Sequence, residues 1–218
     1  MEKLLFQNKY RINSIRLPGW DYSAEGCYFI TICTKNRQPY FGKIINHKMH
    51  LSHIGEIVRE QWFKSAQIRD NIILDEFIIM PDHLHGIIII CNKKISEPVD
   101  CRDIINGFHF PENKNEYQTD VNPGEAHCNV PLPIGKHKTQ SKYKNHFGPQ
   151  YNNLGTVIRG FKGITRKIIN IKYGKYFFVW QNGYYEDIIK NENHLYRVRE
   201  YIINNPAKWE ININKFKN

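Results

Sequence analysis

His83 and His85 stand two residues apart in FIIMPDHLHGIIII, a run rich in β-branched and aromatic residues that reads as strand. Side chains alternate along a strand, so both imidazoles lie on one face. Two imidazoles side by side supply half of a divalent-metal site. Ile87 and Ile89 continue that face, which puts the pair at the strand's end, where it would carry little packing. On its own this spacing is a weak signal, because two polar residues at a sheet end produce it too. The chain has 13 tyrosines, so none is special by type. Tyr184 and Tyr185 stand out because they follow WQNG and open what reads as a short helix over 184–190, where a phenol can face a cleft. The competing reading makes them aromatic core with Trp180. Asp187, close beyond Tyr184, offers an oxygen to the same metal.

These residues need elements to hold them. Residues 26–34, GCYFITICT, predict a buried strand, and 40–51 a weaker strand or hairpin. Helical spacing runs over 52–66, with Ser52 as N-cap. Strands follow at 72–80 and 84–91, and the short Pro81-Asp82-His83 connection makes them antiparallel neighbours. Residues 153–170 form an amphipathic helix with Leu154, Ile158, Phe161, Thr165 and Ile168 inward. On another of its faces Arg159, Lys162 and Arg166 fall together. A last helix spans 194–204, with Leu195, Val198 and Ile202 inward, and Asn205-Pro206 ends it. Between them, 92–150 is rich in Asn, Lys, Pro and Gly without periodicity. It reads as a surface insertion, with one helical turn at 101–108 and with 110–150 dispensable for folding. One antiparallel sheet with helices packed on one face satisfies this order, in a single α+β domain over 1–218.

The charge points to a polyanionic partner. The net charge is +10, and residues 151–218 carry 12 Lys/Arg against 5 Asp/Glu. Basic chains of this kind meet nucleic acid or an acidic membrane surface. No apolar run is long enough for a signal peptide or a bilayer span. Cys27, Cys33, Cys91, Cys101 and Cys128 form no CxxC pair and read as reduced thiols of a cytoplasmic protein. A zinc site from Cys101, His127 and Cys128 matches no ligand spacing.

Four segments taken together resemble the REP-associated tyrosine transposases, relatives of the small single-tyrosine insertion-sequence transposases with an HUH motif. They are RLPGWDYSAEGCYFITICTKNRQPYFG, FIIMPDHLHGIIII, LGTVIRGFKGITRKIIN and VWQNGYYEDIIKNENHLYRVREYIINNP, in that order over about two-thirds of the chain. The resemblance implies a ferredoxin-like sheet with both histidines on a central strand and a tyrosine on a helix facing them. It implies Mg²⁺ or Mn²⁺ held by His83, His85 and Asp187. The implied reaction is transesterification on hairpin-bearing single-stranded DNA, by a monomer or homodimer, through a 5′-phosphotyrosine. Tyr184 is the expected nucleophile, with Tyr185 beside it not distinguished from it. Arg159, Lys162, Arg166 and Lys167 are the expected phosphate contacts. Asp82 stands where that family usually has Asn, and Asp187 where many members have His. A binding protein without catalysis on the same scaffold, and a metal hydrolase using water, are the rival readings.

Overall fold

The computed structural model describes residues 21–91, 101–107 and 153–215. The long strands arise where β-branched residues crowd. They are β1 (Gly26–Cys33), β4 (Ile72–Ile79), β5 (His83–Ile90) and the short β6 (Tyr185–Ile189). They form one antiparallel sheet in the order β4-β5-β1-β6. A two-stranded hairpin, β2 (Gly42–Ile45) with β3 (Lys48–Leu51), stands apart from it. Helix α1 (His53–Gln67) links the hairpin to β4, and α3 (Leu154–Tyr173) precedes β6. Without the hairpin the main-sheet order is βαββαβ, with the first and third sheet strands central, which is the ferredoxin-like arrangement. The fold is α+β.

Both long helices start where the sequence caps them. Ser52 accepts a hydrogen bond from Gly55 N, and Asn153 accepts one from Thr156 N. Their apolar stripes cover one face of the sheet. There Trp62, Phe161, Phe178 and Trp180 close over Tyr28, Ile30, Ile32, Leu84 and Ile88 in one buried cluster. Gly86 makes room for this packing, since a Cβ there would stand 2.8 Å from the Trp62 ring.

The opposite face of the sheet is covered too, so helices lie on both sides rather than on one. Cys27, Phe29, Ile87 and Ile89, the alternate residues of the same strands, pack against α2 (Cys101–Gly107) and α4 (Glu192–Lys215). Leu195, Val198 and Ile202 of α4 face inward as expected. The 110–150 stretch, and with it His127 and Cys128, lies outside the described residues.

Two expected elements differ. The 184–190 segment is not a helix: β6 pairs with the edge of β1, which supplies the backbone partners, and residues 185, 187 and 189 alternate with 186 and 188 across the sheet. Helix α4 does not stop at Pro206 but runs through it to Lys215. The far half is held by contacts that propensity does not encode. Glu210 accepts from His47 N at 2.8 Å and pairs with His47 Nδ1 at 2.8 Å, which ties the helix to the turn of the hairpin. Arg199 forks onto Asp75 of β4 and ties down the near half.

Candidate functional site

Strand β5 runs antiparallel to β1 with Thr31 opposite His85 and Cys33 opposite His83. The two imidazoles therefore share a face, at the end of β5, as the alternation predicts. Their rings stand 4.5 Å apart, and the two Nε2 atoms are 2.9 Å apart. Each Nδ1 is engaged elsewhere: that of His83 by Asp82 Oδ1 at 2.5 Å, that of His85 by Thr31 Oγ1 at 2.8 Å. Such outer partners fix which nitrogen of each ring is turned toward the other. Two nitrogens bound at about 2.1 Å to one ion stand roughly 3.0–3.4 Å apart between octahedral and tetrahedral angles, so the observed spacing is close to the octahedral end. The pair fits a divalent ion on that measure. Among the described residues no third His, Cys, Asp or Glu completes a group of three.

Asp187, the expected third ligand, instead faces His194, whose Nε2 is 3.4 Å from Asp187 Oδ2. It is opposite Phe29 in the ladder, on the histidine face but not clustered with the pair.

The expected tyrosines are separated by the pleat. Tyr184 precedes β6 and packs against the α1/α3 core, on the side away from the histidines. Tyr185 faces the histidine side, opposite Thr31, with its ring edge-on to Phe29. Burial raises its phenol above the ordinary value, and Asp187 and Tyr201 add to the rise.

A third tyrosine reaches the site. Tyr201, on α4, places its hydroxyl 3.2 Å from His85 Nε2, with ring centroids 5.1 Å apart. Burial raises its phenol, while a hydrogen bond from the Asn205 side chain and the charge of Arg37 pull it back. The spacing held a signal for this residue: position 201 follows Val198 by three and precedes Ile202, on the inward stripe of α4. No local motif marks Thr31, which reaches His85 only through strand pairing.

The rim is built by the turn after β1. Arg37 Nε pairs with Asp82 Oδ2 at 2.9 Å, and its guanidinium carbon lies 5.9 Å from the centre of the Trp209 ring of α4. Trp209 in turn stands 5.5 Å from His83. Asn36 and Arg37 both have left-handed φ, at 56° and 55°, a costly backbone for residues with side chains. Burial pushes the Asp82 carboxyl up to about 6, against the pull of Arg37 and of a backbone hydrogen bond. His83 and His85 are 3% and 1% exposed, so the pair lies beneath α4 rather than open at a sheet end.

The basic helix α3 lies across the sheet from this site. Arg159, Arg166 and Lys167 are exposed on it. Lys162 is not free in the same way. Its ammonium donates to the carbonyls of Gln181 and Gly183, both at 2.7 Å, and braces the turn that leads into β6. Burial lowers its pKa to about 8.

Of the expected reduced thiols, Cys27, Cys91 and Cys101 are free and buried, whereas Cys33 is disulfide-bonded. Among the described residues no helix is long and apolar enough to cross a membrane.

An uncharacterized protein of Haemophilus influenzae is 35% identical over 198 residues, covering 90% of this chain and 89% of its own length. The chain belongs to the family of that protein. No family model matches. The solved structure of a REP-associated tyrosine transposase bound to a REP hairpin overlays with a TM-score of 0.46 at 14% identity, over 84% of this chain and 67% of that chain.

Proposed function

We propose that this protein cuts and rejoins single-stranded DNA by transesterification, with Tyr201 as the nucleophile and His83 and His85 as ligands of a divalent ion, Mg²⁺ or Mn²⁺. The observation that carries the reading is the meeting of the Tyr201 hydroxyl with His85 Nε2 at 3.2 Å, with His83 Nε2 standing 2.9 Å from that same nitrogen, beneath α4. Asn205, one turn beyond Tyr201, hydrogen-bonds to its phenol. A divalent ion held by His83 and His85 would supply charge to polarise the scissile phosphate.

The protein's own residues do the rest. Tyr201 gives up its hydroxyl proton and its oxygen forms a bond to phosphorus. The bond from phosphorus to the 3′ oxygen breaks, and that oxygen takes a proton. The products are a 5′-phosphotyrosine and a free 3′-hydroxyl. One phosphodiester replaces another, so the reverse attack by a 3′-hydroxyl rejoins strands without an external energy source. Burial holds the Tyr201 phenol above its ordinary value, and the Asn205 hydrogen bond and the Arg37 charge offset part of that rise. Exposed Arg159, Arg166 and Lys167 are candidates to track the backbone of a folded single strand, consistent with the +10 net charge.

The test is a covalent adduct. Wild-type protein with Mn²⁺ and single-stranded oligonucleotides from the flanks of its own gene should yield a protein–DNA species that survives denaturing electrophoresis. Tyr201→Phe should abolish it, a loss of about a thousandfold or more, while Tyr184→Phe and Tyr185→Phe retain it. Loss in Tyr185→Phe alone would move the nucleophile to β6. Cleavage without any adduct would establish the water-using hydrolase, and binding without cleavage the non-catalytic protein.

A further inference from the structure

Asp82 sits between two partners that do not otherwise meet. One carboxylate oxygen takes the Nδ1 side of His83 at 2.5 Å, and the other takes Arg37 Nε at 2.9 Å. Asp82 is 4% exposed, so neither contact is shared with bulk water. Its backbone is fixed as well: its carbonyl accepts from both Thr34 N at 2.9 Å and Thr34 Oγ1 at 3.0 Å. Arg37 is held independently of Asp82, by donating to Cys33 Sγ at 3.1 Å and by lying over Trp209. The left-handed backbone at Asn36 and Arg37 is what turns this guanidinium back toward β5.

We propose that Asp82, clamped by Arg37, is the positioning residue that makes His83 a metal ligand. The carboxylate accepts the Nδ1 proton, which commits Nε2 to the metal side and sets the tilt of the ring toward His85. Arg37 keeps the carboxylate from rotating away. An Asn, the residue usual at this place in the resembled family, would still accept the Nδ1 proton through its amide oxygen. It would not pair with Arg37 through charge, so the clamp belongs to the aspartate. The inference rests on reading His83 and His85 as a metal pair.

The experiment uses full-length protein and Mn²⁺ alone as the probe, with affinity read by electron paramagnetic resonance. A second readout is the low-field imidazole proton of His83 in NMR, which needs no metal. Asp82→Ala should lower Mn²⁺ affinity about 10- to 100-fold and abolish the low-field signal. Asp82→Asn should keep the signal, moved upfield, and lose less affinity than the alanine. Arg37→Met should weaken Mn²⁺ binding by about tenfold, with the signal broadened. Melting curves identify variants that fail to fold, and for those the asparagine variant decides. If wild type binds Mn²⁺ and both Asp82→Asn and Arg37→Met bind it equally well with the His83 signal unchanged, the clamp is structural only and the inference falls. If wild type binds no Mn²⁺ while the low-field signal behaves as described, the positioning of His83 stands and the metal reading fails instead.

Discussion

The two faces of the central sheet are made from the same strands and do different things. On the α1/α3 side, alternate residues of β1 and β5 meet four large aromatics and form one apolar cluster. On the α4 side, the next residues along the same strands are Thr31, His83 and His85, buried at 1%, 3% and 1% exposure. There polar groups pair with one another: Asp82 with His83, Thr31 with His85, Arg37 with Asp82, Tyr201 with His85. One face is held by shape and area, the other by directional pairs. Burial alone therefore does not mark a core here. The histidines are as inaccessible as the isoleucines beside them, and what separates the two kinds is whether the neighbours bear donors and acceptors.

Substitutions can break that contrast or sharpen it. The largest stability effect should come from the apolar face. Trp62→Ala removes a fully buried ring in contact with Phe77 and Phe161. It should cost about 3–5 kcal/mol in urea unfolding, with Mn²⁺ affinity of the folded fraction unchanged. A folded Trp62→Ala protein without Mn²⁺ binding would show that the faces are not separable. His85→Ala should be milder, about 1–3 kcal/mol, because it leaves Thr31 and Tyr201 short of a partner and uncovers Phe29. The burial of the pair is what departs from the expectation that a site at a sheet end carries little packing. A variant as stable as wild type would return the pair to the surface. The smallest effects belong to α3. Removing Arg159, Arg166 or Lys167 should flatten the salt dependence of single-strand binding by about 0.7 for each phosphate no longer neutralised and leave stability alone. Lys162→Ala should do the reverse, costing about 1 kcal/mol with the salt slope intact. An unchanged slope in the triple Arg159, Arg166, Lys167 variant would confine DNA binding to the α4 side.

Local pattern was enough for most of the frame. Runs of β-branched and aromatic residues marked β1, β4 and β5, Ser52 marked the start of α1, amphipathic spacing marked α3, and the two-residue spacing of His83 and His85 placed both rings on one face. What escaped was decided by distant partners. Residues 184–190 carry a pattern that suits either state, and only pairing with β1 makes them a strand. Pro206 is an ordinary stop signal, overridden because Glu210 and Trp209 find partners on the hairpin and at His83. The phenol of the site was visible only as one more position on the inward stripe of α4. Lys162 looked like part of a basic face because the chain 19 and 21 residues further on, where its carbonyl partners lie, reads as unstructured turn. Thr31 and Arg37 have no local signal at all, since their roles exist only once β1 and β5 are paired.

The site also has a history set by the order of synthesis. His85 and Tyr201 are 116 residues apart along the chain, and the tie between the hairpin and α4 spans 163. At ribosomal rates of about 5–20 residues per second, the histidine strand waits on the order of ten seconds for the helix that carries the hydroxyl. During that interval the growing chain can lay down β1, α1, β4 and β5, yet it holds imidazoles without their phenol. A nascent chain, or one broken off before α4, therefore holds the histidine pair without the hydroxyl that meets it, even where its first strands have folded.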